Sequence, residues 1–327
     1  MALQIKALSV EFALNGRTNL AVDNVSLNVT AGRVLGVVGE SGAGKSTLAF
    51  AILGLIDPPG RIVGGEIWFK GRDLLQLGES GMRSVRGRQI SIVFQNPATA
   101  LNPTMTLGDH IIETIQEYTS TNRGEARRKA IDILKNVDLG DQEDLLRKYP
   151  HQISGGMKQR VMIALAMSHE PAILIADEPT SALDVVNQAQ ILRLLRDLNH
   201  QFKTTIVIIT HNLAVVAEAC DDVACLYAGR VMESGDVRTV FGAPAHPYTQ
   251  ALLKAVPDIE ETSLPEPIPG ELTIRDRPER GCVFHTRCSS VMDICRLEDP
   301  PLLLGRGGQK VYCYLYADAN ADERNSG

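Results

Sequence analysis

The chain has 327 residues, enough for two domains, and its 44% hydrophobic and 22% charged content is ordinary for a soluble globular protein. A net charge of −6 argues against a protein that grips a nucleic-acid backbone, which carries a basic excess. No apolar run approaches the ~18 residues that cross a bilayer. The start, Met1-Ala-Leu-Gln-Ile-Lys6, lacks a secretory pattern, so a cytoplasmic location is expected.

In chain order, residues 1–30 hold two β-rich stretches. Val34–Val38 is short, apolar and β-branched, as a buried strand should be. Residues 39–47 read Gly39-Glu-Ser-Gly-Ala-Gly-Lys-Ser-Thr47, and Lys45 to Leu55 carries apolar residues at helical spacing. This is a phosphate-binding loop in its confirming strand–loop–helix context. Gly39, Gly42 and Gly44 let the chain curl so that backbone N–H groups of the loop, Ser41 and Thr47 among them, point at a phosphate. The helix start adds partial positive charge. Lys45 is expected on the β- and γ-phosphates and the Ser46 hydroxyl on Mg²⁺.

Residues 62–70 and 89–94 read as further strands, and Thr106–Gln116, Arg123–Asn136 and the stretch from Gly155 as helices. Ser154 is placed to cap the last of these, leaving outward-facing N–H groups. Ile173–Ala176 is an apolar strand ending in Asp177-Glu178. An Asp at such a strand end holds Mg²⁺, and Glu178 is placed to polarise an attacking water. Two adjacent acids on a strand would face opposite sides and take different tasks. Strands at 172–176, 205–210 and 223–228 alternate with helices near 186–202 and 212–220, which predicts a parallel α/β sheet. After residue 255, Pro257, Pro265, Pro267, Pro269, Pro278, Pro300 and Pro301 break any long element, and the polar tail 317–327 reads as disordered.

Ile153-Ser-Gly-Gly-Met157 followed by Lys158-Gln-Arg-Val-Met-Ile-Ala164 resembles the signature of ATP-binding cassette (ABC) ATPases. Gln95 in Val93-Phe-Gln-Asn-Pro97 matches the Q-loop, Ser181-Ala-Leu-Asp184 the D-loop and His211 the switch histidine, all in the family's order. The resemblance implies a P-loop NTPase cassette over residues 1–255: a RecA-like parallel core, an antiparallel β subdomain and a helical subdomain over about 97–168. It implies Mg²⁺ on Ser46, Gln95 and Asp177, and Glu178, His211 and Gln95 as the catalytic set. Ser154, Gly155, Gly156 and Asp184 would complete the ATP site of a partner subunit packed head to tail. One phosphate loop and one signature turn cannot build such a composite site alone. Family members place an aromatic ring on adenine; Gly16–Leu20 offers none, and Phe12 is the nearest candidate, equally readable as a core residue.

Of six cysteines, Cys220 and Cys225 read as buried small hydrophobes. Cys282, Cys288, Cys295 and Cys313 cluster in the extension 256–327, where a cytosolic setting favours metal over disulfides. Four thiolates suit zinc or an iron–sulfur cluster, and free thiols stay open. His246-Pro-Tyr-Thr249, Leu252-Leu253, Pro269-Gly270 and Gly281-Cys282 resemble the C-terminal region of the oligopeptide/dipeptide/nickel importer branch. That implies a [4Fe–4S] cluster on the four cysteines. Met157 and Val161-Met-Ile163 resemble its D-type subunits, implying an F-type ATPase partner, two permeases, a periplasmic or lipid-anchored binding protein and a place on the inner face of the membrane. Asn96-Pro97 to Leu107 are the expected permease contacts. The competing readings are a soluble ABC ATPase acting on ribosomes or DNA, which would carry two cassettes or a long coiled coil, and a non-catalytic cassette, which would lack Lys45 or Glu178; neither pattern occurs here.

Overall fold

The computed structural model describes residues 1–14, 17–256, 267–270, 278 and 280–317. The tail 318–327, expected to be disordered, and Gly16 and Pro257 lie outside the described residues, as does Pro265.

The elements in chain order are strands β1 (Leu3–Leu14), β2 (Arg17–Val29) and β3 (Val34–Val38), helix α1 (Lys45–Ile52), β4 (Gly60–Phe69), β5 (Arg72–Asp73), α2 (Gly78–Arg83), β6 (Ile90–Val93) and α3 (Pro97–Ala100). Then come α4 (Leu107–Glu117), α5 (Arg123–Asn136), α6 (Gln142–Leu145), α7 (Gly155–Met167), β7 (Ile173–Asp177), α8 (Val185–Phe202) and β8 (Thr205–Thr210). The last are α9 (Leu213–Ala219), β9 (Asp222–Tyr227), β10 (Arg230–Asp236), α10 (Val237–Gly242), α11 (Pro247–Lys254), α12 (Ile294–Leu297), β11 (Leu302–Leu304) and β12 (Lys310–Tyr312). They form two compact units.

One unit comprises Met1–Ala2, Val29–Val34 and Leu75–Ile209. Its strands β6, β7 and β8 run parallel, in register Ile90↔Ile173 and Ile173↔Thr205. Every residue of β7 and β8 is buried, which is why these strands read as unbroken apolar runs rather than alternating ones. The helices α4, α5 and α7 form the helical block expected from the sequence. Each starts at a side-chain cap: Thr106 accepts from the Asp109 N–H at 3.1 Å, Asn122 from Glu125 at 3.0 Å and Ser154 from Met157 at 3.3 Å. Their apolar faces meet through Ile111 and Ile115, Ala126, Ala130 and Leu134, and Val161 and Ile163, all buried.

The other unit comprises Leu3–Asn28, Leu35–Leu74 and Thr210–Gly327. It holds an antiparallel sheet in the order β2-β1-β4-β5, with an irregularity in β1 around Ser9. A second sheet runs β11-β12-β10-β9-β3, with β9 parallel to β3 and the later strands antiparallel. The sequence reading stopped this sheet at 223–228. In the structure β10 continues it, and the Pro-containing extension adds the β11–β12 hairpin at its edge. Pro300 and Pro301 stand just before β11, where the missing N–H groups interrupt no ladder.

Candidate functional site

The phosphate loop leaves the buried end of β3. Gly39 is at φ 156°, and a Cβ there would lie 2.1 Å from the Leu226 carbonyl oxygen. Gly44 is at φ 96°, and its Cβ would lie 2.2 Å from the Ala21 carbonyl oxygen. Only glycine fits either position, so β9 and β2 fix the curl of the loop. Gly44 is also the N-cap of α1 and has no side chain with which to cap it. Lys45 is buried, and its ammonium donates to the carbonyls of Gly39 at 2.8 Å and Glu40 at 2.9 Å. Ser41 and Gly42 are exposed, and Ser46 and Thr47 half-buried. In the same unit His211 follows the last residue of β8 and is exposed, and Asn212 beside it caps α9.

In the first unit, Gln95, Asp177 and Glu178 stand at the carboxyl ends of neighbouring parallel strands, the edge at which open α/β sheets bind ligands. Asp177 closes β7 and is 4% exposed. Strand alternation does not separate the two acids as the sequence suggested: Glu178 has left the strand for φ 48°, a left-handed conformation rare outside glycine, and is half-buried. Its N–H donates to Ile209 at 2.8 Å, and its carbonyl accepts from the Ser181 N–H and hydroxyl. The turn, not the pleat, sets its direction.

Ser154 and Gly155 are exposed at the start of α7. A Cβ on Gly156 would meet the Asn187 Oδ1 at 2.8 Å, and the Asn187 amide donates to the Asp184 carboxylate at 2.5 Å. The signature turn and Asp184, separate motifs in the sequence, are thus joined through Asn187, a residue that sequence reasoning passed over. Asp184 is itself the N-cap of α8, and its hydrogen bonds from Asn187 hold its carboxyl below the usual range. Phe12, the adenine candidate, lies half-buried on β1 opposite Gly60, where an added methyl would come 2.5 Å from its ring.

Cys220 and Cys225 are buried, and burial raises the Cys225 thiol to about 12. Cys282, Cys288, Cys295 and Cys313 are unbridged and line one cavity of about 10 Å³ together with His246 and His285. Burial raises Cys282 to about 12 and Cys313 to about 11, and the neighbouring thiols add to this. The His246 Nδ1 accepts from the Tyr248 N–H at 3.0 Å, which leaves its proton on Nε2. That buried Nε2 has no hydrogen-bond partner among the described residues. Among the described residues no three Cys, His, Asp or Glu side chains are already set to hold a metal ion. A buried imidazole and four cysteines lining one small cavity are the residue types that a thiolate-bound metal group uses, a thiolate set with a polar neighbour.

The family model of the ABC transporter matches residues 22–181, and that of the oligopeptide/dipeptide transporter C-terminal region matches 232–295. The chain belongs to the ABC transporter family. The dipeptide transport ATP-binding protein DppD of Escherichia coli is 44% identical over 321 residues, 97% of each chain. The oligopeptide transport ATP-binding protein AppD of Bacillus subtilis is 40% identical over 98% of each. The dimeric post-hydrolysis structure of the ATP-binding cassette MJ0796 with ADP and Pi superposes with a TM-score of 0.65, at 30% identity, over 72% of this chain and 99% of that one. The fold is therefore the ABC cassette of the P-loop NTPases, and the chain is an ABC ATPase subunit. Among the described residues no helix is long and apolar enough to cross a membrane.

Proposed function

We propose that this protein is the ATP-hydrolysing subunit of a bacterial importer of di- or oligopeptides. It docks from the cytoplasm on two permeases fed by a periplasmic or lipid-anchored binding protein, and pairs with a second, F-type ATPase. The match to peptide-transport ATP-binding proteins along almost the whole chain, cassette and C-terminal region together, carries this reading. Phe94, a large apolar side chain left 41% exposed beside Gln95 and Asn96, supports docking through residues 96–107.

Lys45 and the N–H groups around Gly39, Ser41, Gly42, Gly44 and Thr47 take the phosphates of ATP. The family resemblance assigns Mg²⁺ to Ser46, Gln95 and Asp177, where it would supply positive charge to the phosphates. Glu178 accepts a proton from the attacking water and His211 steadies the transferred phosphoryl. The Ser154-Gly155-Gly156 turn, exposed at its first two residues and braced by Asn187 and Asp184, serves the ATP of the partner subunit. Catalysis is positioning and charge, with no covalent intermediate on the protein. The four cysteines hold an iron–sulfur cluster that clips the extension; zinc in equal amount and a colourless protein would overturn that part of the reading.

The test is affinity purification of Glu178→Gln from native membranes with ATP and Mg²⁺. Recovery of two multi-spanning proteins and a second ABC ATPase is expected. Recovery of ribosomes or nucleic-acid proteins without a membrane subunit would overturn the importer.

A further inference from the structure

Glu40, the second residue of the phosphate loop, places a carboxylate in a loop built to receive a triphosphate. Like charges there oppose binding. The carboxylate is gripped by Arg287 of the C-terminal extension through two parallel hydrogen bonds, Nη1 to Oε2 at 2.7 Å and Nη2 to Oε1 at 3.0 Å. The Arg287 side chain is 6% exposed. Its guanidinium also donates to the Tyr227 hydroxyl at 3.2 Å and to the carbonyls of Ile268, Pro269 and Gly270. Each donor is thus committed in a fixed direction, which a lysine could not reproduce.

A second contact holds the same residue. The Glu40 N–H donates to the Tyr248 hydroxyl at 3.0 Å, and that hydroxyl donates to the Leu226 carbonyl at 3.2 Å. Tyr248 is fully buried, with its ring 4.7 Å from that of Tyr227 and 5.3 Å from that of Phe284. Phe284 lies two residues after Cys282, and Arg287 directly precedes Cys288. Segment 282–288 therefore joins the cysteine cavity to the phosphate loop by side-chain contacts inside one unit.

We propose that Arg287 is a positioning residue for nucleotide binding, which cancels the Glu40 charge and makes ATP affinity depend on the integrity of the four-cysteine segment. This rests on the phosphate-loop reading above. If the segment shifts, Arg287 leaves with it and the Glu40 charge stands unneutralised within the phosphate loop. The extension is then a control on the loop and more than a structural appendage.

Equilibrium dialysis of the full-length protein with radiolabelled ATP and Mg²⁺ tests this. Arg287→Ala is expected to weaken ATP binding about 10- to 100-fold, less than a fully buried charge left unpaired would cost, because the Glu40 side chain keeps 24% exposure. Adding Glu40→Gln to it should recover most of the loss, because the amide removes the repulsion. Cys288→Ser should weaken binding in the parent and produce no further loss in the Arg287→Ala/Glu40→Gln background. A merely structural Arg287 predicts no rescue, so a double variant as weak as the single one overturns the proposal, as does unchanged affinity in Arg287→Ala. Should Arg287→Ala fail to fold, the folded double variant carries the decision: affinity within about fivefold of the parent supports the proposal and a larger loss refutes it. Lys45→Ala separates the two readings. If it keeps ATP, the phosphate-loop reading falls and this proposal with it; if it loses ATP while Arg287→Ala does not, only the Arg287 proposal falls.

Discussion

The phosphate loop and the C-terminal extension share one unit and are specified in opposite ways. The loop is specified locally. Gly39 and Gly44 are demanded by the Leu226 and Ala21 carbonyls, and every functional group lies within nine consecutive residues. The extension is specified by contacts between residues far apart. Tyr227, Tyr248 and Phe284 pack against one another in tilted and edge-on contacts, and Glu233, fully buried on β10, accepts from the N–H groups of Ala245 at 2.8 Å and His246 at 2.9 Å. A motif scan finds the first kind of site and passes over the second.

If that contrast holds, changes in the loop and at the strand ends should act directly on turnover and affinity, and changes in the aromatic packing of the extension should act on stability. The largest effect expected is on turnover. Glu178→Gln should lower steady-state ATP hydrolysis about 10²- to 10⁴-fold with ATP still bound, the range for loss of a general base. Hydrolysis close to the parent rate would remove Glu178 from that role. Next, Phe284→Ala should destabilise the extension-bearing unit by about 3–5 kcal/mol, read as a lower denaturant midpoint, because a fully packed ring leaves a cavity. A loss under about 1 kcal/mol would mean that the extension packs loosely, and would erase the contrast. Lys45→Ala should weaken ATP binding about 100-fold, through loss of a charge-assisted contact to phosphate. Smallest, Ser154→Ala should cost about 1 kcal/mol as a lost helix cap, seen by thermal denaturation. A larger stability loss would place Ser154 in the core of its unit, at odds with its exposure.

Much of the cassette was legible in the sequence because its signals are periodic or local. The buried parallel strands β7 and β8, the capped helices α4, α5 and α7, and the phosphate loop all fall where pattern and punctuation put them. Three things were not legible. The direction of Glu178 depends on a left-handed residue that no propensity announces. Asn187 joins the signature turn to Asp184 across 31 residues, a distance from Gly156 that only the fold closes. Arg287 and Tyr248 acquire their meaning only when β9 brings Tyr227 and Leu226 beside the loop. His246-Pro-Tyr-Thr249 was visible as a motif, yet its work as helix cap, N-terminal proline and loop anchor is tertiary. The prolines of the extension predicted broken elements, and they hid the hairpin that forms just after the last of them.

That hairpin has a consequence for how the protein survives in a crowded cell. Without β12, the seven-residue strand β10 would expose an unpaired row of backbone donors and acceptors, with apolar Val231 and Met232 beside it. Such an edge is a template on which another chain can add a strand. The hairpin replaces it with β11, three residues long and preceded by two prolines. A chain cut by a protease before Leu302 would reopen that edge, so a damaged copy should associate with its neighbours instead of remaining a silent competitor for the transporter.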